Sequence, residues 1–105
     1  MTTFDNREQA FEKKQAHEDE LAFKAVARRN KLLGQWVAGQ LGLSGAEADA
    51  YARTVVEADF EEAGDADVIR KVQGDLKAKG VELSDHRLML KLAELLVEAQ
   101  KQVAA

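Results

Sequence analysis

Apolar residues in this chain recur at helical rather than alternating spacing. From Leu21 they fall at Phe23, Val26, Leu33, Trp36, Val37 and Leu41, a stripe that fades into Gly39 and Gly42. Ser44-Gly45-Ala46-Glu47 then reads as a capping box, with the Ser44 hydroxyl and the Glu47 carboxylate each serving the other's orphan amide. The helix it opens turns Ala48, Tyr51, Ala52, Val55, Val56 and Phe60 towards a core and stops at Gly64. Asp65 is placed to cap a third helix with the face Val68, Ile69, Val72 and Leu76 and with Gly80 just past its end. Ser84 caps a fourth, with Leu83 and Leu88 at the hydrophobic-staple positions, burying Leu88, Met89, Leu92, Leu95, Leu96, Ala99 and Val103. The first, second and fourth helices span roughly 28–31 Å each and the third about a turn less, dimensions that suit one bundle. No run alternates with period two, so no sheet is expected. The fold class is all-α: a single four-helix bundle over residues 21–105.

The first twenty residues depart from this pattern. Residues 5–20 contain no Gly or Pro and are rich in Glu, Lys, Gln and Ala, which favours helix. Beyond alanine, however, the only apolar side chains are Phe4, just before them, and Phe11 within them. Seven apart, these share one helical face, with Arg7, Glu8 and Gln15 beside them. An isolated helix of this length is marginal in water, so residues 1–20 are expected to form an arm that is frayed or disordered in the free protein. Either the arm is a solvated extension with its phenylalanines resting loosely on the bundle, or it orders when its aromatic face enters a partner's groove.

Composition narrows the function classes. The 105 residues include no cysteine and no proline, which removes disulfides, thiol catalysis and the strongest helix breaker. The net charge of −4 hides strong blocks. Residues 1–20 carry −3 and residues 21–46 carry +4, from Lys24, Arg28, Arg29 and Lys31 with no acid among them. Residues 47–67 carry −7 and the remainder +2. An acidic total argues against non-specific binding to nucleic acid or anionic membranes. The longest uncharged stretch, Leu32 to Ala46, is too short and too glycine-rich to cross a bilayer. With no visible targeting segment, the expected location is cytoplasmic.

Catalytic constellations are hard to find. His17 and His86 stand in separate segments without metal-ligand spacing, and Glu61, Glu62 and Asp65 cluster where solvated helix-end carboxylates are usual. Gly34 and Gly39 have phosphate-loop spacing but are followed by Gln40-Leu41 and preceded by no strand. Gly39-Gln40-Leu41-Gly42 lacks the basic flanks and strands of a nucleic-acid clamp. No cofactor and no metal are therefore expected. Lys24, Arg28, Arg29 and Lys31 leave two readings open. They form an anion or nucleotide site in a helical interaction module without enzyme activity, or they pair with the acidic helix of residues 47–67, which requires no ligand.

The run Ala27-Arg28-Arg29-Asn30-Lys31-Leu32-Leu33-Gly34-Gln35-Trp36 resembles the hallmark segment of the zeta-subunit ATPase inhibitors of alphaproteobacterial F-type ATP synthases. Phe4-Asp5-Asn6-Arg7-Glu8, Phe11-Glu12 and Glu20-Leu21-Ala22-Phe23-Lys24-Ala25 resemble that family upstream, although Asn6 stands where an acid is more usual. Asp49-Ala50-Tyr51-Ala52, Asp59-Phe60-Glu61-Glu62-Ala63-Gly64 and Asp67-Val68-Ile69-Arg70-Lys71-Val72 match further on, so the likeness covers essentially the whole chain. The resemblance implies a non-enzymatic regulatory subunit. Its N-terminal arm would enter an alpha/beta interface of the catalytic head, reach the gamma shaft and become helical there. It would obstruct rotation during ATP hydrolysis while largely sparing synthesis. It further implies contact with the alpha, beta and gamma subunits, no nucleic acid, no insertion into the membrane, and a peripheral position on its inner face through the synthase. Phe4, Arg7, Glu8, Phe11 and Glu12 are then the candidate inhibitory contacts. The phenylalanines would be the anchors, and the three charged residues would set register.

Overall fold

The stripe that begins at Leu21 is the bundled half of a much longer helix. The computed structural model describes the backbone of residues 3–59 and 64–104, and side chains from residue 17 onwards within them. Its elements are α1 (Thr3–Gln40), α2 (Gly45–Ala58), α3 (Ala66–Ala78) and α4 (Asp85–Ala104), with no strand among the described residues. With no proline or glycine before Gly34, nothing interrupts the backbone hydrogen bonds between the arm and the first core helix. At 38 residues α1 is about 57 Å long, which accounts for a molecule measuring 65 × 26 × 21 Å.

α1 is also the hub. It packs most extensively on α2 and α4, whereas α3 touches each of the other helices less. Leu33, Val37, Val55, Val68, Val72, Leu76, Leu88 and Leu92 form the buried core, backed by the half-buried Trp36, Tyr51, Ile69 and Leu95. All eight were expected on core-facing stripes. Two expected core residues lie mostly in water: Phe23 is 62% exposed and Met89 58%. Phe23 sits where α2 is ending, and Met89 on the side of α4 that only the thinly packed α3 approaches. Ala25, Ala38, Arg29 and Asn30 are buried instead. Phe60, Glu61 and Glu62 lie outside the described residues.

The turns show which local signals operate. Gly42 and Gly80, at φ +79° and +73°, close α1 and α3 in the same way. Leu43 N–H bonds Ala38 O at 2.8 Å and Gly42 N–H bonds Gly39 O at 3.2 Å; Val81 N–H bonds Leu76 O at 2.9 Å and Gly80 N–H bonds Lys77 O at 3.0 Å. These are paired Schellman bonds, which require a left-handed residue that glycine adopts without strain. Ser84 Oγ accepts the Arg87 N–H at 3.1 Å, the expected cap of α4. The capping box at Ser44 does not form, and Ser44 makes no side-chain cap bond. Gly45 enters α2 at φ +56°, outside right-handed helical geometry, so the hydroxyl is not held over the third amide. Asp65 occupies the cap position of α3 but also makes no cap bond there, because its carboxylate is engaged elsewhere.

Candidate functional site

Two helices run antiparallel to α1 along its bundled half. Gly34 faces Ala52 of α2, and a Cβ added at Gly34 would lie 2.6 Å from the Ala52 Cα. On the α4 side, Lys91 Nζ sits 5.1 Å from the centre of the Trp36 ring, and Arg28 donates to Gln102 Oε1 at 3.3 Å. The ends of α2 and α4 therefore lie beside residues 27–30 of α1. The N-terminal part of α1 leaves the bundle at that level.

At this root lies a buried polar cluster. Arg29, only 5% exposed, donates through Nε and Nη2 to Asn30 Oδ1 at 3.1 and 2.9 Å, and through Nη2 to Asp65 Oδ1 at 2.8 Å. Asp65 opens α3, so this ion pair ties the hub helix to the α2–α3 junction. Asn30 is fully buried, and its Nδ2 makes no geometrically complete hydrogen bond among the described residues. Asp59 is nevertheless near enough for that amide to act on it. Burial pushes the Asp59 carboxyl above the ordinary aspartate range; Asn30 and Arg29 oppose the shift, while Asp67 and Asp65 add to it. Asp67 is itself buried, and its Oδ1 accepts the Val68 N–H at 2.8 Å. Arg29 thus pairs with Asp65 and its charge acts on Asp59 where the chain passes from α2 to α3.

A second tie joins α2 to α3. Tyr51 donates its hydroxyl to Asp75 Oδ2 at 2.8 Å, and Lys71 pairs with the same oxygen at 2.8 Å while standing over the Tyr51 ring. Burial, then the hydrogen bond and charge of Asp75, raise the Tyr51 pKa well beyond the ordinary tyrosine value.

The basic quartet does not converge. Lys24 pairs with Glu20 of its own helix at 3.1 Å, Arg28 reaches α4, Arg29 is enclosed in the cluster, and Lys31 borders a surface cleft with Asp49 and Glu57. Arg29–Asp65 is the pairing with the acidic segment that the charge blocks suggested, and Lys31 lies beside that segment. Neither arrangement points a set of cations at one ligand. Gly34 and Asn30 escaped the sequence reading as functional residues; a glycine inside a strongly apolar helical stripe was the only available signal of close helix contact. Phe4, Arg7, Glu8, Phe11 and Glu12 fall within the span of α1, but their side chains lie outside the described residues. Among the described residues no group of His, Asp or Glu is arranged to hold a metal.

The family model for ATPase inhibitor subunit zeta matches residues 1–102. This chain belongs to the ATPase inhibitor subunit zeta family. A protein structure solved by NMR in solution is 54% identical; the match covers 78% of this chain and 93% of that one, with a TM-score of 0.70. No curated protein matches the chain. As a zeta-family inhibitor subunit, the protein has a regulatory role directed at the catalytic part of an ATP synthase. No described helix is long and apolar enough to cross a membrane. The hallmark run of the zeta resemblance coincides with the hub: Arg29 and Asn30 build the buried cluster, Gly34 admits α2, and Trp36 stacks under Lys91. In this chain that run holds the bundle together at the base of the arm.

Proposed function

We propose that this zeta subunit inhibits ATP hydrolysis by inserting residues 1–20 at an alpha/beta interface of the catalytic head, where they reach the gamma shaft and block its rotation. Phe4 and Phe11 anchor the arm in apolar pockets; Arg7, Glu8 and Glu12 set its register. The observation that carries this reading is the family match running from residue 1 through the bundle. The unbroken α1 supports it, because a segment continuous with the hub transmits the bundle's position to the arm. The bundle supplies the hold and the synthase supplies the chemistry. Bound in this way, the subunit sits at the inner face of the cytoplasmic membrane without entering it.

ATP hydrolysis by the isolated catalytic head, with the full chain and with a chain starting at Leu21, tests the proposal. The full chain inhibits; the shortened chain does not. Phe11→Ala raises the half-inhibitory concentration about tenfold or more, the scale of an interface anchor, and leaves helicity of the bundle unchanged. Equal inhibition by the shortened chain excludes the arm as the inhibitory element.

A further inference from the structure

α3 is the least secured element of the bundle. At 13 residues it is marginal in water by itself. Its exposed side carries Gly74, which weakens a helix relative to alanine, and Asp65 at its N-cap makes no capping bond. Left-handed glycines bound it at both ends, Gly64 at φ +84° and Gly80 at φ +73°. It packs sparsely on α1, α2 and α4, whereas α1 packs extensively on both α2 and α4. Towards α4 it borders an open groove of about 800 Å³, with Ile69, Gln73 and Lys77 on one wall and Asp85 and Met89 on the other.

The core divides along the same line. α3 supplies Val68, Val72 and Leu76, which keep the closed state predominant. Leu33, Val37, Val55, Leu88 and Leu92 belong to α1, α2 and α4, and the hub keeps those three helices together when α3 is removed. Polar ties provide the rest of the attachment. Asp75 accepts from Tyr51 of α2, and Gln73 Nε2 donates to the Leu83 carbonyl at 2.6 Å and to Asp85 Oδ1 at 2.9 Å, at the start of α4. Asp65 pairs with Arg29 of α1 at the level where the arm leaves the bundle. Opening α3 therefore takes its carboxylate away from the buried Arg29 and uncovers the root of the arm.

We propose that α3 is a latch: it unfolds locally between Gly64 and Gly80 while α1, α2 and α4 stay folded, and its closure encloses Arg29 and braces the arm's root. Because so short a helix does not persist alone, detachment and unfolding of α3 are one event. The coupling is reciprocal: whatever fixes α1 around Arg29 favours a closed α3, and a closed α3 fixes that part of α1. This latch goes beyond the inhibitory reading and does not depend on it.

Native-state hydrogen exchange of the full chain, followed by NMR in low urea under conditions where rates report opening equilibria, provides the test. Amides of residues 72–76 are expected to be protected at least about tenfold less than those of residues 33–37 in α1. Their urea dependence should be less than about half as steep, because only the surface under α3 is exposed. The Arg29 Nε–H, held against Asn30 Oδ1, should follow the α3 amides. Gly34→Ala, placed in the α1–α2 contact, should speed exchange in α1 about tenfold or more and leave α3 within about twofold of the parent. α3 amides with the protection and urea dependence of α1 overturn the latch, as do α3 amides that accelerate together with α1 in Gly34→Ala. An Arg29 Nε–H that keeps the protection of the α1 amides overturns the brace at the arm's root. The parent protein alone decides both points if Gly34→Ala fails to fold.

Discussion

Replacing Gly34 with alanine tests how closely α1 and α2 approach. The new Cβ would stand 2.6 Å from the Ala52 Cα, 3.0 Å from its Cβ and 3.3 Å from its carbonyl oxygen. Ordinary contact begins near 3.4 Å, so the helices must separate by at least about 0.8 Å at this level. The nearest obstacle is backbone, which no rotamer change can move. Leu33, Val37 and Val55 belong to the core that would be loosened. Such overpacking costs about 1–3 kcal/mol, against ~0.5–1 kcal/mol gained by removing a glycine from a helix interior. Because the obstacle is backbone, the cost falls at the upper end of its range, and the net loss of ~2 kcal/mol corresponds to a fall in Tm of about 8–16 °C for a domain of this size. Thermal and urea unfolding, followed by circular dichroism and by the single Trp36, reads it directly. Gly74→Ala is the control. It lies within α3 with nothing within 4 Å of the added Cβ, and should raise stability by ~0.5–1 kcal/mol. Adding Ala52→Gly to Gly34→Ala removes the 3.0 Å contact but not the 2.6 Å one, so rescue should be partial. If Gly34→Ala melts at or above the parent temperature, close approach is not what Gly34 provides.

Three further outcomes follow from the polar ties. Asp65→Ala strands the buried Arg29 guanidinium; because Asp65 is half exposed, the loss is expected at about 1–3 kcal/mol, read as a lower urea midpoint at unchanged slope. Asp59 has a folded pKa above its ordinary 3.8, so the folded state holds that proton more tightly than the unfolded chain. Its contribution therefore disfavours folding at neutral pH and is relieved as pH falls through the folded value towards 3.8. Asp59→Asn should stabilise at pH 7, with an advantage that shrinks over that window; an advantage independent of pH would refute the assignment. Tyr51 is the single tyrosine, and its folded pKa is raised above 10.0, so phenolate absorbance should stay absent through that pH until the protein unfolds. The neutral phenol is favoured in the fold, so the associated stability declines once pH passes 10.0, and Tyr51→Phe should remove that part of the decline.

Much of the architecture was legible from residue spacing alone. Leu33, Val37, Val55, Val68, Val72, Leu76, Leu88 and Leu92 announce themselves because a helix buries one stripe, and the stripe repeats with the backbone's own period. Gly80 and Ser84 were legible for a similar reason: a left-handed terminus and an N-terminal cap are satisfied within a few residues of chain. Ser44 shows the limit of that reasoning, since Gly45 alters the backbone on which the same motif depends. The family was legible as well, because its separated motifs retain their spacing along the chain.

What required tertiary structure was the destination of each polar group. Arg28, Arg29 and Lys31 look alike in a list of charges, yet one reaches α4, one is enclosed by Asn30 and Asp65, and one borders a surface cleft. A helix turns 100° per residue, so adjacent cations meet different neighbours, and those neighbours come from elements 36 and 74 positions away. The exposure of Met89 and Phe23 and the contact at Gly34 were decided in the same way. A sequence shows that a side chain is apolar or that a position is bare. Whether another helix covers it depends on where helices of unequal length end.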